Sequence, residues 1–195
     1  MKAMMEAYCN ELSAELHKLD AAEFEKAINL LIAAYEGDRQ IFIAGNGGNA
    51  ATANHFVCDF GKNAIQGDHR RFRILSVCDN IEKITALSND IAFEECFRFQ
   101  LGNLMRPGDV LIVISASGNS PDLVNACAYA KELGCPIIAL SGFGGGKICD
   151  GASAVLKTDM RSYERIEDLH SAILHMFVCW FKGAEPPFEP LRGVE

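Results

Sequence analysis

The chain has 195 residues, 49 % of them hydrophobic, and a formal net charge of −8 at pH 7. This length is enough for one substantial core and short for two, so residues 1–183 are predicted to form a single domain. The acidic balance argues against a nucleic-acid partner, because such binding usually rests on a basic surface that releases counterions.

The N-terminal sequence and the cysteines predict a cytoplasmic protein without membrane contact. MKAMMEAYCNELSAEL mixes acidic residues into a helical pattern and lacks the basic and apolar regions of a signal peptide. No apolar run approaches the ~20 residues that cross a bilayer as a helix. The eight cysteines form no CxxC pair, which favours reduced thiols over a redox or zinc motif.

Apolar residues recur at helical spacing up to about Tyr35, and the pattern breaks near Asp20, where capping chemistry fits. Residues 1–36 are therefore predicted to form a hairpin of two helices, ahead of a core over 37–183. Short β-branched runs then alternate with helical patterns: QIFIA (40–44), FRILSV (72–77), VLIVIS (110–115), PIIALS (136–141) and AVLKT (154–158). Strands apolar on both faces that alternate with helices predict an α/β fold, a parallel sheet with helices on both sides.

The last helical pattern, roughly Ile166 to Phe181, is amphipathic and is expected to pack on the core or on a second subunit. Residues 184–195 hold three of the six prolines and little periodicity. They are predicted to be a flexible tail.

Two strands end in loops that open a helix. GNGGN (45–49) follows the first strand, and SASGNSP (115–121) follows VLIVIS. A helix start offers unpaired N–H groups, and nearby hydroxyls add donors, so each loop suits a phosphate; an N-cap at Ser120 or a tight turn at 45–49 explains each loop singly. In a doubly wound sheet of order 2-1-3-4-5 the two loops flank the switch point where ligands bind.

The first loop is not a dinucleotide fingerprint, because Ala50 stands where the third glycine of G-x-G-x-x-G is required. A phosphorylated metabolite fits better than a dinucleotide. The following helix places His55 and Asp59 one turn apart on one face. Polar residues also interrupt the apolar last helix: Glu164, Glu167, His170 and His175.

Together, GNGGN, ANHF, LSND, RPGDVL, SASGNSP, the GGGK turn and RIEDLHSAILH resemble the phosphoheptose isomerase branch of the sugar-isomerase (SIS) domain family over about residues 5–182. The resemblance implies a flavodoxin-like three-layer αβα sandwich on a five-stranded parallel sheet, and a homotetramer with active sites at subunit interfaces. It also implies conversion of sedoheptulose 7-phosphate to D-glycero-D-manno-heptose 7-phosphate.

The resemblance assigns roles to individual residues. His175 would be one half of an acid–base pair, with Asp59 as the other candidate, and which one is the base stays open. Substrate would contact the following residues: Asn46, Gly47, Gly48, Asn49, Asp90, Ser115, Ser117, Asn119, Ser120 and Glu164.

Some members of the family hold zinc with residues that match His55, Asp59, Glu167 and His175, so a divalent metal, zinc first, is the expected cofactor. Glu167 and His175 are eight residues apart, about 12 Å along a helix. They can share one ion only if Glu167 precedes the regular helix or a neighbouring subunit contributes one of them.

This chain departs from the family pattern at several positions. Asn49 replaces a serine, Ala116 a threonine and Glu167 a glutamine, while Asp59 is one methylene shorter than the usual glutamate. These departures reshape the pocket, so an isomerase for another phosphosugar stays open. A non-catalytic SIS protein that binds a replication initiator or senses a sugar phosphate is the second alternative; the replication branch of the family lacks the acid at Asp59 and the histidine at His175, and this chain has both.

Overall fold

The structure is a computed structural model that describes residues 1–191. Five parallel strands form its centre: β1 (Gln40–Gly45), β2 (Arg73–Ser76), β3 (Val110–Ser115), β4 (Ile137–Ser141) and β5 (Ala154–Lys157). Their order is β2-β1-β3-β4-β5, so the carboxyl ends of β1 and β3 lie side by side at the switch point. The predicted strands and sheet order are confirmed.

Seven α-helices surround the sheet: α1 (Lys2–His17), α2 (Ala21–Glu36), α3 (Gly48–Asn63), α4 (Ile81–Asp90), α5 (Cys96–Leu104), α6 (Pro121–Glu132) and α7 (Tyr163–Lys182). Short 3-10 turns occur at Phe93–Glu95 and Lys147–Cys149. Successive strand residues point to opposite faces. Ile41 and Ile43 pack with α2, α3 and α7, whereas Phe42 packs with α5 and α6. The molecule is therefore the expected three-layer αβα sandwich.

Helices α3 and α7 run side by side on one face of the sheet, held by aromatic packing. The ring of Phe60 in α3 lies 4.4 Å from that of Phe72 and 5.4 Å from that of Phe181 in α7, measured between centroids. Both Phe60 and Phe181 are fully buried, and burying one such side chain stabilises the fold by about 1.5–3 kcal/mol. This contact fixes the two helices that carry most of the polar residues discussed below.

The N-terminal helices differ in part from the expected hairpin. Asp20 caps α2 as predicted: its Oδ1 accepts hydrogen bonds from the backbone N–H groups of Ala22 and Glu23, at 2.9 and 3.2 Å. Helix α1, however, makes its main helix contact with α7. An ion pair between Glu11 and Arg165, 3.0 Å long, contributes to that contact. All of the apolar residues of α1 remain at least partly exposed, because none of its residues is buried.

The segment after α7 contrasts with the flexible tail expected from its prolines. Phe188 is buried against Tyr35 and Phe181. The Asn29 side chain exchanges two hydrogen bonds with the backbone of Leu191. The segment is therefore packed against α2 as far as Leu191, because its aromatic residue completes the core, and residues 192–195 lie outside the described part of the chain. Within residues 1–191, no helix combines the length and the hydropathy that a membrane span requires.

Candidate active site

A cavity of about 300 Å³ opens at the switch point, between the loop after β1 and the loop after β3. Its wall is formed by Asn46, Gly47, Asn49, Ile114, Ser115, Ala116, Ser117, Ser120, Tyr163 and Glu167. The two loops singled out in the sequence thus meet in one cleft, which begins at the N-termini of α3 and α6.

The serine loop keeps its hydroxyl groups available to a ligand. Ser120 occupies the N-cap position of α6 and Pro121 follows it, yet the Ser120 side chain makes no capping hydrogen bond within the described chain. The Oγ atoms of Ser115 and Ser117 accept backbone N–H groups of the same loop, at 3.0 and 3.2 Å. A hydroxyl that accepts in this way can still donate its own hydrogen, so all three serines can donate to an anion.

Backbone geometry holds the serine loop in place. Gly118 has a φ of +66°, and a Cβ there would lie 2.4 Å from the Gly145 carbonyl oxygen, so another residue would be strained and would clash. Asn119 braces the loop from outside the cavity: its Nδ2 donates to the Ser117 carbonyl at 2.8 Å, and its Oδ1 accepts the Lys147 N–H at 3.1 Å. Both polar atoms of the Asn119 side chain are therefore hydrogen-bonded to backbone, and Asn119 is not part of the cavity wall.

On the opposite wall, Asn46 is held by a buried acid from the neighbouring helix. Its Nδ2 donates to Oδ2 of Asp122 at 2.7 Å, and Asp122 is 1 % exposed. Burial raises the pKa of the Asp122 carboxyl, while the hydrogen bond from Asn46 opposes the rise. This bond uses one Nδ2 hydrogen of Asn46 and leaves its carbonyl oxygen free to accept a hydrogen bond in the cavity.

Glu167 lies in the cavity wall against the first residue of α3. A Cβ on Gly48 would come within 2.2 Å of Glu167 Oε2, so the absent side chain makes room for the carboxylate. Burial raises the pKa of Glu167, and the nearby Glu164 and Asp168 raise it further. A carboxylate at a helix N-terminus is favourably placed against the helix dipole.

A second polar cluster lies farther along α3 and α7. The Nε2 atoms of His55 and His175 are 3.0 Å apart, and they lie 3.4 and 3.6 Å from Asp59 Oδ2. The side chains are partly exposed, at 54 % for His55, 29 % for Asp59 and 46 % for His175.

The donor set of this cluster fits a divalent metal. Ligands placed about 2.0–2.1 Å from a tetrahedral zinc are separated by about 3.4 Å, close to the 3.0, 3.4 and 3.6 Å between these three side chains. One atom from each of His55, Asp59 and His175 can therefore reach a common ion. Without an ion, the two imidazoles can hydrogen-bond to each other in complementary tautomers.

Glu167 is separated from this cluster. It belongs to the regular helix α7, eight residues before His175, and its carboxylate lies beside Gly48. Helical rise also separates Gly48 from His55 by about 10 Å along α3. One chain therefore offers a hydroxyl-lined cavity and a His–Asp–His cluster as two separate places.

Besides Asn119, three residues assigned to the substrate by the resemblance are not part of the cavity wall: Gly48, which lies against Glu167, and Asp90 and Glu164. Asp90 is the exposed last residue of α4 and accepts a hydrogen bond from Asn89 at 2.8 Å. Glu164 is exposed and accepts a hydrogen bond from Ser162 at 2.7 Å. Sequence reasoning in turn missed Tyr163 in the wall and Asp122 behind Asn46. Tyr163 precedes Glu167 by one helical turn, a spacing that could have indicated it; Asp122 carries no comparable signal.

The fold and the cavity define a class: a doubly wound α/β domain with a hydroxyl-lined cavity at its switch point. Residues 6–142 match the SIS domain family. The phosphoheptose isomerase of Citrifermentans bemidjiense is 34 % identical over 179 residues, which cover 92 % of each chain. A probable phosphoheptose isomerase of Thermoplasma volcanium is 32 % identical over 83 % of this chain and 81 % of its own.

Among solved structures, phosphoheptose isomerase GmhA from Neisseria gonorrhoeae superposes with a TM-score of 0.85 and 28 % identity, covering 93 % of this chain and 97 % of that one. The phosphoheptose isomerase from Francisella tularensis has the same fold, with a TM-score of 0.83 at 21 % identity. The chain belongs to the SIS-domain family and, within it, groups with the phosphoheptose isomerases, which confirms the resemblance read from its motifs.

Proposed function

We propose that this protein is an isomerase that converts the ketose phosphate sedoheptulose 7-phosphate to the aldose D-glycero-D-manno-heptose 7-phosphate. The observation that carries the proposal is the combination, in one chain, of a hydroxyl-lined helix-start cavity and a cluster of acid–base side chains. The relatives named phosphoheptose isomerase, similar over 92 % of the chain, support the choice of substrate.

The serine loop is the phosphate site in this proposal. Ser115, Ser117 and Ser120 supply hydroxyl donors, and the start of α6 adds backbone N–H groups and the positive end of a dipole. Donors of this kind form charge-assisted hydrogen bonds with a phosphate dianion. Binding there fixes one end of the substrate, while the carbons that react lie at the other end.

Isomerisation moves a proton between C1 and C2 through an enediolate, which needs a base for the carbon-bound proton and an acid for the oxygen. Asp59 and His175 share these proton transfers, since their side chains approach to 3.6 Å and are accessible. With an ion held at Oδ2 and Nε2, Asp59 Oδ1 and His175 Nδ1 would remain free to exchange protons. The reacting carbons lie away from the phosphate, so a pair distant from the serine loop fits the substrate.

The metal site of the proposal consists of His55, Asp59 and His175, with zinc as the proposed ion. When bound, the ion would supply positive charge that stabilises the developing oxyanion. The sequence also indicated Glu167 as a ligand; because it lies beside Gly48, it can contribute only to a site of a neighbouring copy.

A homotetramer with shared active sites accounts for the separation of cavity and cluster. The cluster of one copy would complete the cavity of another. Large apolar side chains are exposed on the surface, as an oligomer interface requires: Met4, Met5, Ile81, Ile91, Phe93 and Phe99. A cytoplasmic location is proposed with it, supported by eight cysteines that are all free. No observation favours the non-catalytic alternative.

The first test incubates the protein with sedoheptulose 7-phosphate and with unphosphorylated sedoheptulose, and follows the aldose by NMR. We expect the aldose only from the phosphorylated ketose. Ser120→Ala should raise KM about tenfold or more, since a hydrogen bond to a charged group contributes about 1.5–3 kcal/mol. Ser162→Ala, outside the cavity, is the matched control. Equal turnover of the unphosphorylated sugar would refute the assignment of the loop.

A further inference from the structure

A buried histidine lies directly behind the cavity wall. Nδ1 of His170 in α7 is 2.9 Å from Oδ1 of Asn49, a cavity residue in the first turn of α3. His170 is completely buried and Asn49 is 4 % exposed. The contact joins the two helices where the cavity begins, and His170 itself does not line the cavity.

The His170 ring is neutral. Burial lowers its pKa to about 3, and the nearby Ser141 carbonyl opposes this shift only in part. A neutral imidazole has one N–H donor and one acceptor nitrogen. Nδ1 faces Oδ1 of Asn49, and an amide oxygen only accepts, so this contact assigns the hydrogen to Nδ1.

The other ring nitrogen makes no regular hydrogen bond. Nε2 of His170 is buried and has no hydrogen-bond partner among the described residues, because the Ser141 carbonyl that acts on the ring's pKa does not meet hydrogen-bond geometry with Nε2. Such a group is costly in a folded protein and calls for an explanation. An apolar side chain would fill the same space without this cost, so the useful property of His170 is the donor at Nδ1.

That donor determines what Asn49 can offer to a ligand. With Oδ1 engaged by His170, the amide group can present only its Nδ2 hydrogens to the cavity. Without His170, rotation of the amide by 180° would present the oxygen instead. Asn46, held through its Nδ2 by Asp122, offers a carbonyl oxygen. The two asparagines therefore offer a donor and an acceptor.

We propose that His170 is a positioning residue that fixes the Asn49 amide with its N–H groups toward the cavity, where they donate to a substrate oxygen. The inference rests on the proposed function in taking a phosphosugar as the substrate. The role of His170 does not depend on which sugar binds: His170 determines whether Asn49 presents its N–H groups or its oxygen to the cavity.

The kinetic test compares His170→Leu, which removes the donor, with His170→Asn, whose Nδ2 can occupy the place of Nδ1. We expect His170→Leu to raise KM about three- to tenfold with kcat within about twofold, because the contact forms equally in the ground and transition states. His170→Asn should restore most of the affinity. Thermal melting of each variant verifies folding.

A double-mutant cycle separates positioning from a general structural role. If His170 acts through Asn49, adding His170→Leu to Asn49→Ala should change KM by less than about twofold further. If the rise in KM of the double variant equalled the product of the two single rises, the proposal would be overturned. So would an unchanged KM in a folded His170→Leu protein.

The third measurement needs no activity. Two-bond ¹H–¹⁵N correlations of the intact wild-type protein report the tautomer of each of its five histidines, and we expect Nδ1–H at His170 at neutral pH. An Nε2–H tautomer or a charged ring would overturn the inference even if the enzyme isomerises heptose phosphate. An Nδ1–H tautomer in a protein that turns over no phosphosugar would instead reject the proposed function and leave the orientation of Asn49 standing.

Discussion

The serine-loop cavity and the His–Asp–His cluster differ in how their side chains are held and in how exposed they are. The cavity consists of loops at strand ends, and the backbone and buried partners such as Asp122 hold its shape. The cluster consists of side chains on the outer surfaces of α3 and α7, with His55 and His175 about half exposed. One chain thus holds the cavity in a fixed shape and leaves the cluster accessible, and in the proposed function these are the phosphate end and the acid–base end of a site shared between two copies.

The largest effect is expected from the cluster. His175→Ala should lower kcat about 100- to 10,000-fold, the usual contribution of a positioned acid or base. KM should change little, because the phosphate site is intact. His17→Ala, a histidine on the exposed end of α1, serves as the control. A kcat within tenfold of wild type would place the acid–base chemistry elsewhere.

The next prediction compares the metal content of variants in the cluster and in the cavity wall. If His55, Asp59 and His175 hold the ion, His55→Ala should lose most of the bound metal, measured by elemental analysis of protein purified without added metal. Glu167→Gln should retain more metal than His55→Ala, because Glu167 lies apart from the three clustered ligands of its own chain and can reach an ion only in a neighbouring copy. Loss of metal from Glu167→Gln would show that a neighbouring copy's Glu167 completes the site.

Substitutions at two glycines compare the serine loop, which the backbone holds, with the part of the cavity wall that the movable Glu167 side chain forms. Gly118→Ala should destabilise the fold by about 1–3 kcal/mol, because it combines a positive φ with a backbone clash. At Gly48 the obstructing atoms belong to the Glu167 side chain, which can rotate away. Gly48→Ala should therefore melt near the wild-type temperature while altering KM. If Gly48→Ala destabilised the fold as much as Gly118→Ala, the Glu167 side chain would not be free to rotate away.

The smallest effect concerns charge in the cavity. Ionised Glu167 repels a phosphate in the same cleft, so Glu167→Gln should tighten binding of inorganic phosphate a few-fold at neutral pH. Because the pKa of Glu167 is raised, the advantage of the variant should shrink as the pH falls and the wild-type carboxyl takes up its proton. Calorimetry with phosphate at two pH values measures both. An unchanged affinity at neutral pH would show that Glu167 lies too far from the phosphate to act.

The sequence predicted the fold more completely than the site. Strands apolar on both faces indicated a parallel sheet, the family resemblance implied its flavodoxin-like form, and the glycine and serine loops identified both sides of the cavity. The helical spacing indicated a separation of Glu167 from His175, and Glu167 lies within the regular helix α7, with its carboxylate beside Gly48. The pairings of Asp122 with Asn46 and of His170 with Asn49 join residues 76 and 121 positions apart. No local pattern encodes such contacts, and the same holds for the burial of Phe188.

The central claim is that cavity and cluster are two halves of one active site supplied by different copies. Co-expressing a Ser117→Ala/Ser120→Ala chain with a His175→Ala chain tests it most directly, since each parent carries only one intact half. If the halves are shared, purified mixed oligomers should regain an appreciable fraction of wild-type turnover of sedoheptulose 7-phosphate. Mixed oligomers as inactive as either parent would contradict the claim.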